Sequence, residues 1–175
     1  KDYKVSMEDH FGQWGLVLII ITLSIWFVFR YLRPQKKIEW RNSGILSAFV
    51  IALYAEMYGF PLTIYVLTSV FGIDIPVSGI GGHLWSSLLG LGEVGAMFEM
   101  LIGYLIMGIG GFLIINAWKR IYQTKDGLVI DGIYSYMRHP QYTGITLVTL
   151  GMLIHWPTII TILMWPVLVT AYYYL

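Results

Sequence analysis

Cysteine is absent from the 175 residues, which excludes a disulfide framework and any thiolate metal site. Charge is scarce as well. Asp, Glu, Lys and Arg make up 12% of the chain while 57% is hydrophobic; a soluble globular domain carries about 25% charge. With a mean hydropathy of +0.69, most of the outer surface is read as facing lipid. The charge that is present sums to +1, so no nucleic acid or other polyanion is indicated as a partner. No internal repeat, low-complexity tract or inter-domain linker stands out, and residues 1–175 are read as a single domain. The Gly-rich "SGIGGH" at 78–83 lacks the strand and the basic residue of a phosphate loop, and reads as plain loop. The ends lack something too. Lys1 stands where a Met would start a gene, and Leu175 closes an apolar run without the anchors that finish membrane helices. The chain is therefore expected to continue, above all past Leu175. "KDYKVSMEDH" is too charged for a signal-peptide core, so the run after it is read as a retained span.

What is present is a set of long apolar runs. A hydrocarbon core of roughly 30 Å takes about 20 apolar residues as helix. The first candidate is Phe11 to Leu32, stopped by "RPQKK". The second runs from Gly44 to Phe71 with a kink expected at Pro61, where a backbone donor is lost. The third spans His83 to about Trp118. After Tyr142 the apolar sequence continues to the end, broken by "HWPT" at 155–158, which reads as a tight hairpin between a short fourth span and a fifth. The fold expected is an all-α integral membrane protein of about five transmembrane helices, the last two forming a helical hairpin. Four spans with a kinked last helix is the alternative.

Lys and Arg alternate between the connections. The first holds Arg30, Arg33, Lys36, Lys37 and Arg41, and the third holds Lys119, Arg120, Lys125 and Arg138. The second, 72–82, and the hairpin at 155–158 hold none. The positive-inside rule puts the first and third on the cytoplasmic side. The N-terminus then lies outside and the C-terminus inside. Trp14, Trp85 and Trp156 fall at expected outer boundaries, and Trp40 and Trp118 at inner ones.

One connection carries more chemistry than its length explains: "GIYSYMRHPQYTG", residues 132–144. Arg138 offers a planar, permanently charged donor fork suited to carboxylate or phosphate. His139 donates or accepts near neutral pH. Pro140 fixes the chain where the next helix begins, and free first-turn N–H groups near Tyr142 favour an anion. Gly132 and Gly144 permit close backbone approach. Single Arg, His or Tyr residues at such a boundary also serve as interfacial anchors; the full set in one corner is less easily dismissed.

"DGIYSYMRHPQYTG" resembles the G-x-Y-x-x-x-R-H-P-x-Y-x-G signature of the isoprenylcysteine carboxyl methyltransferase superfamily, which includes phospholipid N-methyltransferases and more distant sterol reductases. "GFLIINAWKRIYQTKDGLVIDG" is similar to that family's run into the loop, and the resemblance extends from Gly103 to Gly151 and the hairpin. The first two spans match only as generic helices. The resemblance implies S-adenosylmethionine bound without a Rossmann domain, and a lipid or lipidated substrate entering from the bilayer. Carried across residue by residue, His139 and nearby backbone would hold the methionine end, Tyr134, Tyr142 and Gly144 would shape the cofactor pocket, and Arg138 would orient the loop or an acidic head. Gly108 and Gly110 of "GIG" resemble a cofactor-packing patch, with close helix packing as the equal alternative. The family's acidic pair after the final span has no counterpart before Leu175.

Glu56, Glu93 and Glu99 lie within apolar helices, where ionised groups are expensive. Glu56 is the candidate to neutralise a cation or substrate amine; a protonated acid bonded between helices is the alternative. No metal site is expected, since His83 and His155 lie on the outer side, away from His139. The function expected is methyl transfer from S-adenosylmethionine to an isoprenylcysteine-type carboxylate or a phospholipid-type amine. An NADPH-dependent lipid reductase or a non-catalytic membrane subunit are the alternatives. Acceptor identity and oligomeric state are not legible.

Overall fold

The computed structural model describes residues 12–32, 37–73, 77–78, 81–82, 84–124 and 129–174. The N-terminal decapeptide, Arg33, Lys36, His83, Lys125 and much of the Gly-rich stretch fall outside them. Helices dominate. They are α1 (Trp14–Leu32), α2 (Lys37–Tyr54), α3 (Leu62–Phe71), α4 (Leu84–Leu88), α5 (Gly92–Gln123), α6 (Pro140–His155) and α7 (Ile159–Tyr173). Between α3 and α4 a two-residue antiparallel pair, β1 (Val77–Ser78) with β2 (Gly81–Gly82), closes a turn.

The apolar runs are helical as expected, but not all of their breaks are. The second run bends at Phe60–Pro61, where the kink is expected: α2 passes into a π-helical turn over Ala55–Gly59, and across the break that follows the two halves meet at 65°. The wider π turn ends the helix directly before the proline break. The end of this turn also seats the start of α1, because Gly12 N–H donates to the Gly59 carbonyl at 2.8 Å and Gln13 N–H to that of Tyr58 at 2.9 Å. The third run is two helices, not one. Gly90 and Gly92 at φ 65° and 61° take left-handed conformations that stop α4 and restart the chain as α5.

These breaks limit how many helices span a bilayer alone. α5, at 32 residues or about 48 Å, is long and apolar enough. The bent pair, Trp40–Gly59 with Leu62–Phe71, passes only when taken together. The apolar helices Trp14–Arg30 and Ile159–Tyr173 are shorter, and α6 rises about 24 Å over its 16 residues. An all-helical architecture is therefore present, while five independent full-length spans are not evident from length and composition.

The core sits where α1, α2, α6 and α7 meet, around Phe49, Leu53, Ile145, Leu168 and Tyr172. Outward, α5 exposes Met97, Phe98, Leu101, Leu105, Phe112 and Ile115 by more than half. So continuous an apolar face on one helix suits lipid rather than water. Trp118 and Trp156 correct the belt expectation: they are 9% and 3% exposed and point into the protein. Trp14, at 51%, and Trp40, at 55%, stay on the outside.

The tightest contact runs between α5 and α6, along a seam of four glycines. A Cβ at Gly110 would lie 2.6 Å from the Gly144 carbonyl oxygen, and one at Gly151 would lie 2.6 Å from that of Gly103. Only hydrogen at those positions lets the two backbones approach so closely. The hairpin to α7 is fixed by a capping box. Thr161 N–H donates to Thr158 Oγ1 at 3.1 Å, and Thr158 N–H to Thr161 Oγ1 at 3.3 Å. Ile159 N–H donates to Thr63 Oγ1 at 3.0 Å, which ties the hairpin to α3.

Candidate functional site

The segment from Ile130 to Tyr142 folds back onto the end of α5. Gly132 at φ 63° makes the reversal, and the Arg120 guanidinium lies 3.0 Å from where a Cβ would stand there. The same guanidinium pairs with the Asp131 carboxylate at 2.8 Å. Both partners are about half exposed, so the pair contributes little energy but fixes the loop's path. A short 3-10 turn, Gly132–Ser135, then presents Tyr134 to the interior. Its hydroxyl donates toward Gln141 Oε1 at 3.2 Å and the Ala117 carbonyl at 3.5 Å, linking loop, α5 and α6. Burial pushes the Tyr134 phenol above its ordinary pKa of 10.0, and neighbouring Tyr142 adds in the same direction.

Pro140 is fully buried and occupies the first position of α6, where its missing N–H is not needed. His139 precedes it as the N-cap residue, with no side-chain capping bond. Its carbonyl instead accepts Tyr142 N–H at 3.0 Å and Thr143 N–H at 3.3 Å. The expectation of free amides at Tyr142 is thus corrected, because two first-turn donors are already engaged. Arg138 and His139 are both exposed at this point. The His139 ring stacks on Tyr142 (centroids 5.2 Å apart, planes 25° apart), and Tyr142 in turn meets Tyr172 of α7 at 5.3 Å.

The structure brings together Tyr134, Arg138, His139, Tyr142 and Gly144 at one corner. Gly144 lies in the glycine seam, its Cβ position 2.7 Å from the Gly110 carbonyl oxygen. Gly110 is thus a packing residue, whereas Gly108 has nothing within 4 Å of its Cβ position and faces outward. Glu56 is not near the corner. It is buried in the π turn, where Oε2 accepts Thr63 N–H at 3.0 Å. It lies against Trp156 and Pro157, at the opposite end of α6 from His139 and so about 24 Å away. Glu99 likewise accepts Ser86 N–H at 3.1 Å and braces α4 against α5.

Sequence reasoning gave no special place to Arg120, Asp131, Gln141 or Tyr172. The "DG" turn beside a helix ending in "KR" was the signal for the first two. Nothing local marks Tyr172. Next to the corner lies an apolar cavity of about 380 Å³ between α1, α2, α5 and α6, with no charged residue in its lining.

The fold and corner together define an all-helical protein with a polar loop pinned where two glycine-seamed apolar helices meet. Comparison adds one finding: residues 98–175 match the family model described as phospholipid methyltransferase. This is a branch of the superfamily that the motif resembles, and the matched segment includes most of α5, the corner, α6 and α7. No curated protein and no solved structure matches the chain.

Proposed function

We propose that the protein is a membrane methyltransferase that moves a methyl group from S-adenosylmethionine to a lipid headgroup, with a phospholipid-type amine as the acceptor. The observation that carries this reading is the corner itself, five motif residues brought together within the segment that matches the family. The residues suit the cofactor. Arg138 and His139 offer exposed donors for a carboxylate, and the stacked His139 and Tyr142 rings offer an aromatic edge for a flat base. Tyr134 holds the loop that carries them, and Gly144 lets α6 lie close to α5. When bound, S-adenosylmethionine supplies a methyl group already activated on sulfur. The chain's own work is then alignment of the two reactants and exclusion of water. An amine acceptor must also lose a proton, whereas a carboxylate acceptor need not.

The apolar cavity beside the corner supports a lipid acceptor, since a tail can remain in apolar surroundings while the head reaches Arg138. Glu56, at the far end of α6, takes no part in this step. We further propose five membrane-crossing segments, with the N-terminus outside and the corner on the cytoplasmic side. The alternation of Lys and Arg between the connections supports that orientation.

The test is binding of S-adenosylhomocysteine to the purified protein by titration calorimetry. His139→Ala is expected to weaken it at least tenfold, since a lost hydrogen bond to a charged group is worth about 1.5–3 kcal/mol. Equal binding by wild type and variant removes His139 from the site. Binding of NADPH with none of S-adenosylhomocysteine transfers the reading to a lipid reductase. Methylation of a prenylcysteine in place of an ethanolamine phospholipid replaces the acceptor.

A further inference from the structure

We infer that the cavity between α1, α2, α5 and α6 holds the first stretch of one alkyl chain, and that Tyr54 sets the length it accepts. The inference rests on the lipid-acceptor reading and adds to it a residue that determines specificity.

The inner end of the cavity adjoins the corner. Ile145, in its wall, directly follows Gly144, and Phe27 and Trp118 line the same end with ring centroids 5.5 Å apart. Its outer end is marked by Tyr54, the last residue of α2, and by Met152 of α6. Beyond Tyr54 the Tyr58 ring stacks at 6.4 Å, so the column is filled there. Between these ends, α2 climbs from Leu46 to Tyr54 and α6 from Ile145 to Met152, rises of about 12 and 10 Å. That length takes roughly eight methylenes, each advancing slightly less than a carbon–carbon bond. Entry from the side is open, because α1 packs on α2 and makes no extensive contact with α5.

The lining chooses the occupant. Its side-chain polar groups are the hydroxyls of Ser24, Tyr54 and Thr149 and the indole N–H of Trp118, and Thr149 already donates to the Ile145 carbonyl at 2.9 Å. A peptide segment would bring backbone donors and acceptors with too few partners there. A saturated chain brings none. Longer tails would leave their remainder in the bilayer, so the protein reads only the methylenes nearest the head.

The experiment is a binding series of single-chain alkyl phosphoethanolamines, of about four to fourteen carbons, titrated calorimetrically into the purified protein below their micellar concentrations. Affinity should rise about fourfold per methylene while the slot fills and level off near eight carbons. Tyr54→Ala and, separately, Met152→Ala should move the plateau to longer chains, and Val50→Trp to shorter ones. A plateau at one length in wild type and all folded variants, or no plateau, overturns the inference. Because binding is read without catalysis, the two readings separate. A plateau that moves, with no methyl transfer detected, supports the slot and removes the methyltransferase. Methyl transfer with no chain-length break does the reverse.

Discussion

Gly108 and Gly110 stand two residues apart on α5, and adding one methyl group to each should have opposite effects. At Gly110 the new Cβ would lie 2.6 Å from the Gly144 carbonyl oxygen and 2.8 Å from the Val148 nitrogen. Both are backbone atoms and neither can rotate away. Ordinary contact begins near 3.4 Å, so α5 and α6 must separate by roughly 0.7 Å. A gap of that size forfeits a quarter to a half of each dispersion well along the seam. Overpacking of this kind costs about 1–3 kcal/mol. At Gly108 nothing lies within 4 Å, and alanine in a helix interior is favoured over glycine by about 0.8–1.0 kcal/mol. The propensity gain applies at both positions, so Gly108→Ala should be neutral to stabilising and Gly110→Ala the less stable of the two by the overpacking cost, about 1–3 kcal/mol. Unfolding in mixed micelles, followed by far-ultraviolet circular dichroism at rising denaturing detergent, reads that difference. Equal shifts for the two variants would refute the seam. S-adenosylhomocysteine affinity supplies a second arm: if Gly108 touches the cofactor, Gly108→Ala weakens binding without loss of stability.

Two further outcomes are expected. Leu89→Cys and Thr124→Cys, at the two ends of α5, should react with an impermeant thiol reagent from opposite faces of oriented vesicles; labelling of both from one face sinks the proposed topology. The Tyr134 phenol has a folded pKa raised above 10.0, so it stabilises the loop fully below pH 10 and loses that contribution as pH rises through its folded value. Hydrogen exchange is too fast there to follow, so limited proteolysis of the 129–139 segment serves instead. Protection should fall above pH 10 in wild type and show no such step in Tyr134→Phe.

The elements that could be read from sequence are those with local causes. Pro140 starts α6, "HWPT" turns it into α7, and the corner's residues are neighbours in the chain. The breaks were less legible because they depend on backbone states rather than on residue type alone. The bend falls at Pro61 as the sequence suggests, but the π turn at Ala55–Gly59 leading into it has no local signal, and Gly90 and Gly92 split a run that reads as unbroken. Which face of an apolar helix meets protein was the least legible. Lipid tails and neighbouring helices are equally apolar, so periodicity carries little signal. Trp118 and Trp156 therefore read as boundary anchors although they are buried, and Gly108 and Gly110 read as one patch although they face apart. Glu56 could be recognised as costly in lipid, but its partner, the Thr63 amide, becomes visible only once the helix bends.

The arrangement of contacts also bears on how the chain assembles. The α5–α6 hairpin and the α1–α2 pair each join elements that are consecutive or nearly so, and such contacts close early. The joining of the two halves is long-range. It runs through α2 against α7, where Asn42 Nδ2 donates to the Ala171 carbonyl at 2.6 Å across 129 residues. The apolar cavity therefore lies along the junction of the two halves, with the Phe27–Trp118 ring pair at its inner end. A junction of fewer contacts opens at lower cost than the close glycine seam. Under the slot inferred above, a lipid tail would enter along the same surface at which the two halves meet.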